Sequence, residues 1–149
     1  MSKAVVHLAL APQRKEPNHR SELVNQLLFG EQVEILDQQE NWSLVKNVHD
    51  NYQGWMQNSN LVVLNEKFPI NWDAYKFCGE VNAMVTTEEG PMNLVIGSRL
   101  IDYGNNVFKI NDWVNHSYCE IFEIDSKSFT DNLVRTAKMY LNAPYLWGG

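Results

Sequence analysis

From its start to about residue 125, the chain is cut at short intervals by Gly, Pro, Asn and Asp. The pieces left between are long enough for strands and too short for a sizeable helix. Val5, Val6, Leu8 and Leu10 form a first apolar segment, followed by a loop carrying Pro12, Pro17, Asn18 and several charges. Leu23 to Phe29 fits either strand or helix, as short apolar runs do. After the Gly30-Glu31 turn, Val33 and Ile35 alternate with polar neighbours, and Trp42, Leu44, Lys46 and Val48 continue with a period of two. His49-Asp50-Asn51 is a further turn, and Tyr52 to Met56 a short strand after it. Residues 66–70, with Pro69, read as a linker. The second block runs through Tyr75, Phe77, Val81 and Val85, turns at Glu88-Glu89-Gly90-Pro91 and at Tyr103-Gly104-Asn105-Asn106, and ends on Cys119, Ile121, Phe122 and Ile124. The pattern predicts two β-rich barrels or sandwiches.

The tail changes period. Phe129, Leu133, Val134, Ala137, Tyr140 and Leu141 recur at steps of three and four, which predicts an amphipathic helix over 128–142. Ser128 suits the N-cap, Asp131 complements the positive helix end, and Asn142 with Pro144 ends the helix. Tyr145-Leu146-Trp147-Gly148-Gly149 follows. So apolar a terminus calls for more structure to cover it, so the chain is expected to continue beyond Gly149 in its natural form.

Charge narrows the function classes. With 12 Lys and Arg against 18 Asp and Glu, the formal charge is −6, which disfavours nucleic acid as a partner. No run approaches a membrane span and no signal peptide is evident, so a cytoplasmic location and no membrane partner are expected. The two cysteines, Cys78 and Cys119, match no zinc spacing, and the four histidines are scattered, so no metal or cofactor is expected. Both thiols are read as buried and reduced. Cys119 with His116 makes a poor catalytic dyad, because in a strand a residue and its i+3 neighbour point to opposite faces.

The segment Asn142-Ala143-Pro144-Tyr145-Leu146-Trp147-Gly148-Gly149 resembles the entry to an NlpC/P60 cysteine peptidase domain. Residues 20–31, Trp42, Val45 and Tyr52-Gln53-Gly54-Trp55 resemble the first bacterial SH3 domain of that family's murein-peptide-recycling branch. Asn93 to Leu100, with Tyr103 and Phe108, resembles its second, more divergent SH3 domain. The resemblance implies a mainly β fold: two SH3-like small β-barrels at 1–66 and 67–125, then a helix at 126–149 that starts a truncated α+β, papain-like catalytic domain. The family's nucleophilic Cys and its His partners would lie downstream of Gly149. No catalytic residue is therefore expected here, and the chain alone should be inactive.

For the complete protein, the resemblance implies a γ-D-glutamyl-diamino acid endopeptidase. Its substrate would be a murein peptide with a free N-terminal L-Ala, and its partner within the protein the downstream catalytic domain. Glu22, a loop carboxylate, and Tyr52, the Tyr before Gln-Gly-Trp, match the family positions that contact the substrate amine. Trp42 and Trp55 are expected in the first barrel's core or its domain interface, and Trp72 and Trp113 in the core or interface of the second block. Trp147 is expected to pack near the nucleophile helix of the absent domain. The competing class is a stand-alone bacterial SH3 module that binds peptidoglycan or regulates.

Overall fold

The computed structural model describes residues 2–65, 68, 75–122 and 129–148. Most of the expected linker, the expected boundary near 125, Ser128 and Trp72 lie outside that set. Strands β1 (Lys3–Val6), β2 (Leu10–Arg14), β3 (Leu23–Leu28), β4 (Gln32–Gln38), β5 (Trp42–Asn47), β6 (Gln53–Gln57) and β7 (Leu61–Val63) form one antiparallel sheet in the order β3-β2-β6-β5-β4-β1-β7. Ala4 and Val6 (β1), Ala11 (β2), Leu27 (β3), Val33 (β4), Val45 (β5) and Met56 (β6) all converge on one core. A sheet whose six strands share one interior cluster must curve around it, which is how a small barrel forms.

The second block holds β8 (Tyr75–Cys78), β9 (Ala83–Thr87), β10 (Gly90–Leu94), β11 (Arg99–Ile101), β12 (Val107–Ile110), β13 (Trp113–Ser117) and β14 (Ile121–Phe122). They pair as a four-stranded sheet, β10-β9-β13-β12, and a three-stranded one, β11-β8-β14. Helix α1 (Phe129–Met139) follows, and Asn142, at φ 70°, takes the left-handed conformation that ends helices. The fold is mainly β with one α-helix among the described residues, as the sequence implied.

Two local readings change. Leu23–Leu28 is a strand: it pairs along β2 from Leu10↔Leu28 to Arg14↔Leu23, and long-range pairing decides what a short apolar run leaves open. Pro12 lies in β2, not in a loop. On its other side β2 meets β6 at a single register position, Arg14↔Trp55, so a proline there breaks little of that ladder. The loop carrying Glu22 therefore follows the second strand.

The blocks are joined by a common core, which the sequence did not suggest. Val5, Phe29 and Leu64 pack with Tyr75, Leu94, Leu100, Ile101, Phe108 and Ile110. Alternation along β1 sends Ala4 and Val6 inward and Val5 outward, and all three are fully buried. Phe29 meets Phe108 edge-to-face, with ring centroids 5.6 Å apart. Around this contact, Arg99 N–H donates to Phe29 O at 2.8 Å, and Arg99 Nη2 donates to Glu31 Oε1 at 2.9 Å. Asn111 closes the far side: its Nδ2 donates to Val63 O at 2.9 Å, and its Oδ1 accepts from Asn65 N–H at 3.0 Å.

Gly30 marks the tightest approach. Its φ is +79°, and a Cβ there would lie 2.0 Å from Arg99 O. Gly90 also has positive φ, +118°, but a Cβ there meets nothing within 4 Å. Gly90→Ala therefore carries backbone strain alone, whereas Gly30→Ala must also push the blocks apart. We expect Gly30→Ala to lower unfolding free energy in urea by about 2 kcal/mol or more beyond Gly90→Ala; equal losses would mean this approach does not constrain the fold.

Candidate functional site

Glu22 and Tyr52 are brought to one place by two closed loops. The loop from β2 to β3 is pinned at its neck, where Lys15 N–H donates to Glu22 O at 3.1 Å. Arg14 Nη1 donates to Ser21 O at 2.7 Å, and Ser21 Oγ accepts from Glu16 N–H at 2.9 Å. The turn before β6 is pinned similarly. Asn47 N–H donates to Tyr52 O at 2.9 Å, Asp50 Oδ1 accepts from Tyr52 N–H at 2.9 Å, and Asn51 takes the left-handed φ of 62° that Asn tolerates.

The tail supplies the remaining wall. Gly148, at φ +74°, lies so close to β3 that a Cβ would sit 2.1 Å from Leu23 O. That contact sets Trp147 beside the loop, and its Nε1 donates to Glu22 Oε1 at 3.0 Å. Glu22, Val24, Tyr52, Tyr145, Trp147 and Gly148 enclose an open hollow of about 240 Å³. Lys15 Nζ stands 3.7 Å from Glu22 Oε2, with both side chains well exposed, so this ion pair is weak and easily displaced.

The hollow thus presents a carboxylate, two phenols and an indole. Carboxylate plus aromatic surface is the chemistry that recognises an organic cation. Sequence reasoning singled out Glu22 and Tyr52 but missed Lys15 and Val24, and it did not foresee the bond from Trp147 to Glu22. The contact between Trp147 and Glu22 spans a separation of 125 residues, and no local pattern signals it.

Other expectations resolve one by one. Trp42 is buried but stands apart from both core clusters, edge-on to His19 at 5.1 Å between centroids. Trp55 is partly buried and likewise outside the clusters. Trp113 lies between the blocks, edge-on to His7 at 6.4 Å. The apolar stripe of α1 faces outward, with Leu133 57% exposed and Val134 48% exposed.

Both cysteines are buried away from the hollow. Cys119 lies against Ser117 Oγ at 3.0 Å, while His116 points to solvent, so the two do not form a dyad. Burial pushes the Cys78 thiol from an ordinary value near 9.0 up to about 12; a hydrogen bond with the Glu80 backbone pulls it down, and the neighbouring Cys119 raises it. A thiol so held is a poor nucleophile at neutral pH.

Residues 14–61, which make up most of the first barrel, match the family described as the bacterial dipeptidyl-peptidase Sh3 domain. Over 98% of its length the chain is similar to dipeptidyl-peptidase 6 of Lysinibacillus sphaericus, with 26% identity. It shares the fold of an NlpC/P60 family protein from Bacillus cereus ATCC 10987, at a TM-score of 0.74 and 17% identity over 99% of this chain. It spans 62% of the first protein's length and 66% of the second's.

The Cys78 shift has a measurable consequence. The folded state holds this proton more tightly than the unfolded chain does, so its stabilising contribution is complete below about pH 9 and is lost as pH rises towards about 12. We expect unfolding free energy to fall over that window, and Cys78→Ala to flatten the fall. An unchanged alkaline slope in that variant would assign the loss to other groups.

Proposed function

We propose that this chain is the non-catalytic N-terminal region of a bacterial cell-wall peptide hydrolase of NlpC/P60 type, a γ-D-glutamyl-diamino acid endopeptidase. In this reading the first barrel walls off one end of the substrate cleft, and Glu22 and Tyr52 bind the ammonium of a free N-terminal L-Ala on a murein peptide. The downstream catalytic domain supplies the nucleophile, and the protein works in the cytoplasm on released fragments. One observation carries the proposal. Glu22 and Tyr52 share their hollow with Tyr145, Trp147 and Gly148, the segment that resembles the entry to the catalytic domain.

The chemistry follows from the site. Trp147 Nε1 holds one carboxylate oxygen of Glu22, which leaves Oε2 to face an incoming ammonium in place of Lys15 Nζ. The Tyr52 hydroxyl is an acceptor for a second ammonium proton. A wall at this end admits short peptides with a free amine and excludes those whose amine is still linked to a glycan, so selectivity comes as much from exclusion as from attraction.

The test is kinetic, on this chain joined to its downstream peptidase domain. A charge-assisted hydrogen bond contributes about 1.5–3 kcal/mol, so Glu22→Gln should lower kcat/KM by roughly 10- to 150-fold. The loss should largely vanish on a substrate whose N-terminal amine is acetylated. Tyr52→Phe should cost less, about 0.5–1.5 kcal/mol. Equal losses on free and acetylated substrates would show that Glu22 acts through folding and not through recognition.

A further inference from the structure

A second cavity lies in the first barrel, behind the turn that carries Tyr52. It measures about 140 Å³ and is lined by Asn25, Gln26, Leu27, Glu31, Gln32, Asn47, His49 and Asp50. Seven of these eight carry polar side chains, and two of them, His49 and Asp50, are exposed. Gln32 stands out within it. Its side chain is 2% exposed, and among the described residues neither its Nε2 nor its Oε1 has a hydrogen-bond partner. A buried amide with both ends unpaired is strongly unfavourable, so something must pair with it in the working protein.

The surroundings make the cavity a built site. Gln13, fully buried, donates from Nε2 to Asn47 Oδ1 at 3.1 Å and accepts at Oε1 from Asn25 Nδ2 at 3.2 Å. These bonds fix Asn25 and Asn47 as rigid wall groups. Glu31 is engaged by Arg99 and by Leu28 N–H, so its charge is already matched. That leaves the Gln32 amide, the Asn47 Nδ2 donor, the His49 ring and the Asp50 carboxylate to meet an occupant.

We propose that this cavity binds a small free α-amino acid. Amide donors of Gln32 and Asn47 suit its carboxylate, while Gln32 Oε1 and the Asp50 carboxylate suit its ammonium. Size agrees: a cavity of about 150 Å³ takes benzene, six heavy atoms, and glycine to serine span about five to seven. The site is separate from the Glu22 hollow but tied to it. Asp50, on the cavity wall, also holds Tyr52 N–H, so an occupant steadies the turn that presents Tyr52. The inference does not rest on the function proposed above.

The test is a titration of this chain, followed by NMR at the Gln32 side-chain amide. The probes are glycine and L-serine, taken to about 100 mM, well beyond millimolar affinity. Glycine betaine, which has no N–H to donate, serves as control. Saturable shifts with glycine and L-serine, and none with betaine, are expected. Gln32→Met should weaken binding about tenfold or more, since it removes two hydrogen bonds. Asp50→Asn, which keeps the acceptor for Tyr52 N–H, should also weaken it, and this exposed change guards against a folding failure in the first variant. Glu22→Gln should leave this binding intact. The proposal is overturned if the Gln32 amide does not respond in the folded chain, if binding survives Gln32→Met, or if that variant raises Tm with no ligand response, which would make the cavity a site for water only.

Discussion

The seating of Phe29 among the side chains of the second block is the contact on which the rest of the molecule depends. Among the described residues, the first barrel's own core cluster is made of Ala, Val, Leu and Met side chains, without an aromatic ring. Its fully buried ring, Phe29, goes to the joint core together with Val5 and Leu64. Small β-barrels bury too little surface to be secure alone. Here each block completes the other, and β1 is buried on both faces because it stands between the two interiors.

The site inherits its geometry from that joint core. Glu22 belongs to the first barrel, whereas Trp147 follows a helix that comes after the second. Their hydrogen bond forms because the second block is held against Phe29, Glu31 and Val63, so that the returning tail can cross β3 at Leu23. Gly148 sits where no Cβ fits, so the tail's approach to β3 depends on a residue without a side chain at that point. The shape of the hollow is therefore a property of the assembled pair of blocks.

Much of this was legible in the residues. Turn signals and period-two alternation marked most of the strands, and the steps of three and four marked α1. Glu22 and Tyr52 were reached through a motif resemblance, and the structure brings them to one hollow. Other features were hidden for definite reasons. Pro12 reads as a loop residue until β2 is seen to meet β6 at one position only. Leu23–Leu28 carries no period that separates strand from helix, and its partner strand decides. Gln32 looked like the polar half of an alternating strand, and only burial shows its amide to be enclosed without a partner among the described residues.

What the sequence determined by itself is local: which segments extend, where they turn, where the period changes to helical, and which side chains carry charge. These follow from backbone sterics and from the spacing of apolar residues, which act over a few positions. Tertiary structure alone decided which face of β1 serves which core, that Arg99 and Asn111 bind the two blocks together, and that Trp147 orients Glu22 from 125 residues away. Such contacts depend on how whole sheets pack. A hydrogen bond between distant residues leaves no periodic trace in the chain, because its geometry exists only after both cores have closed.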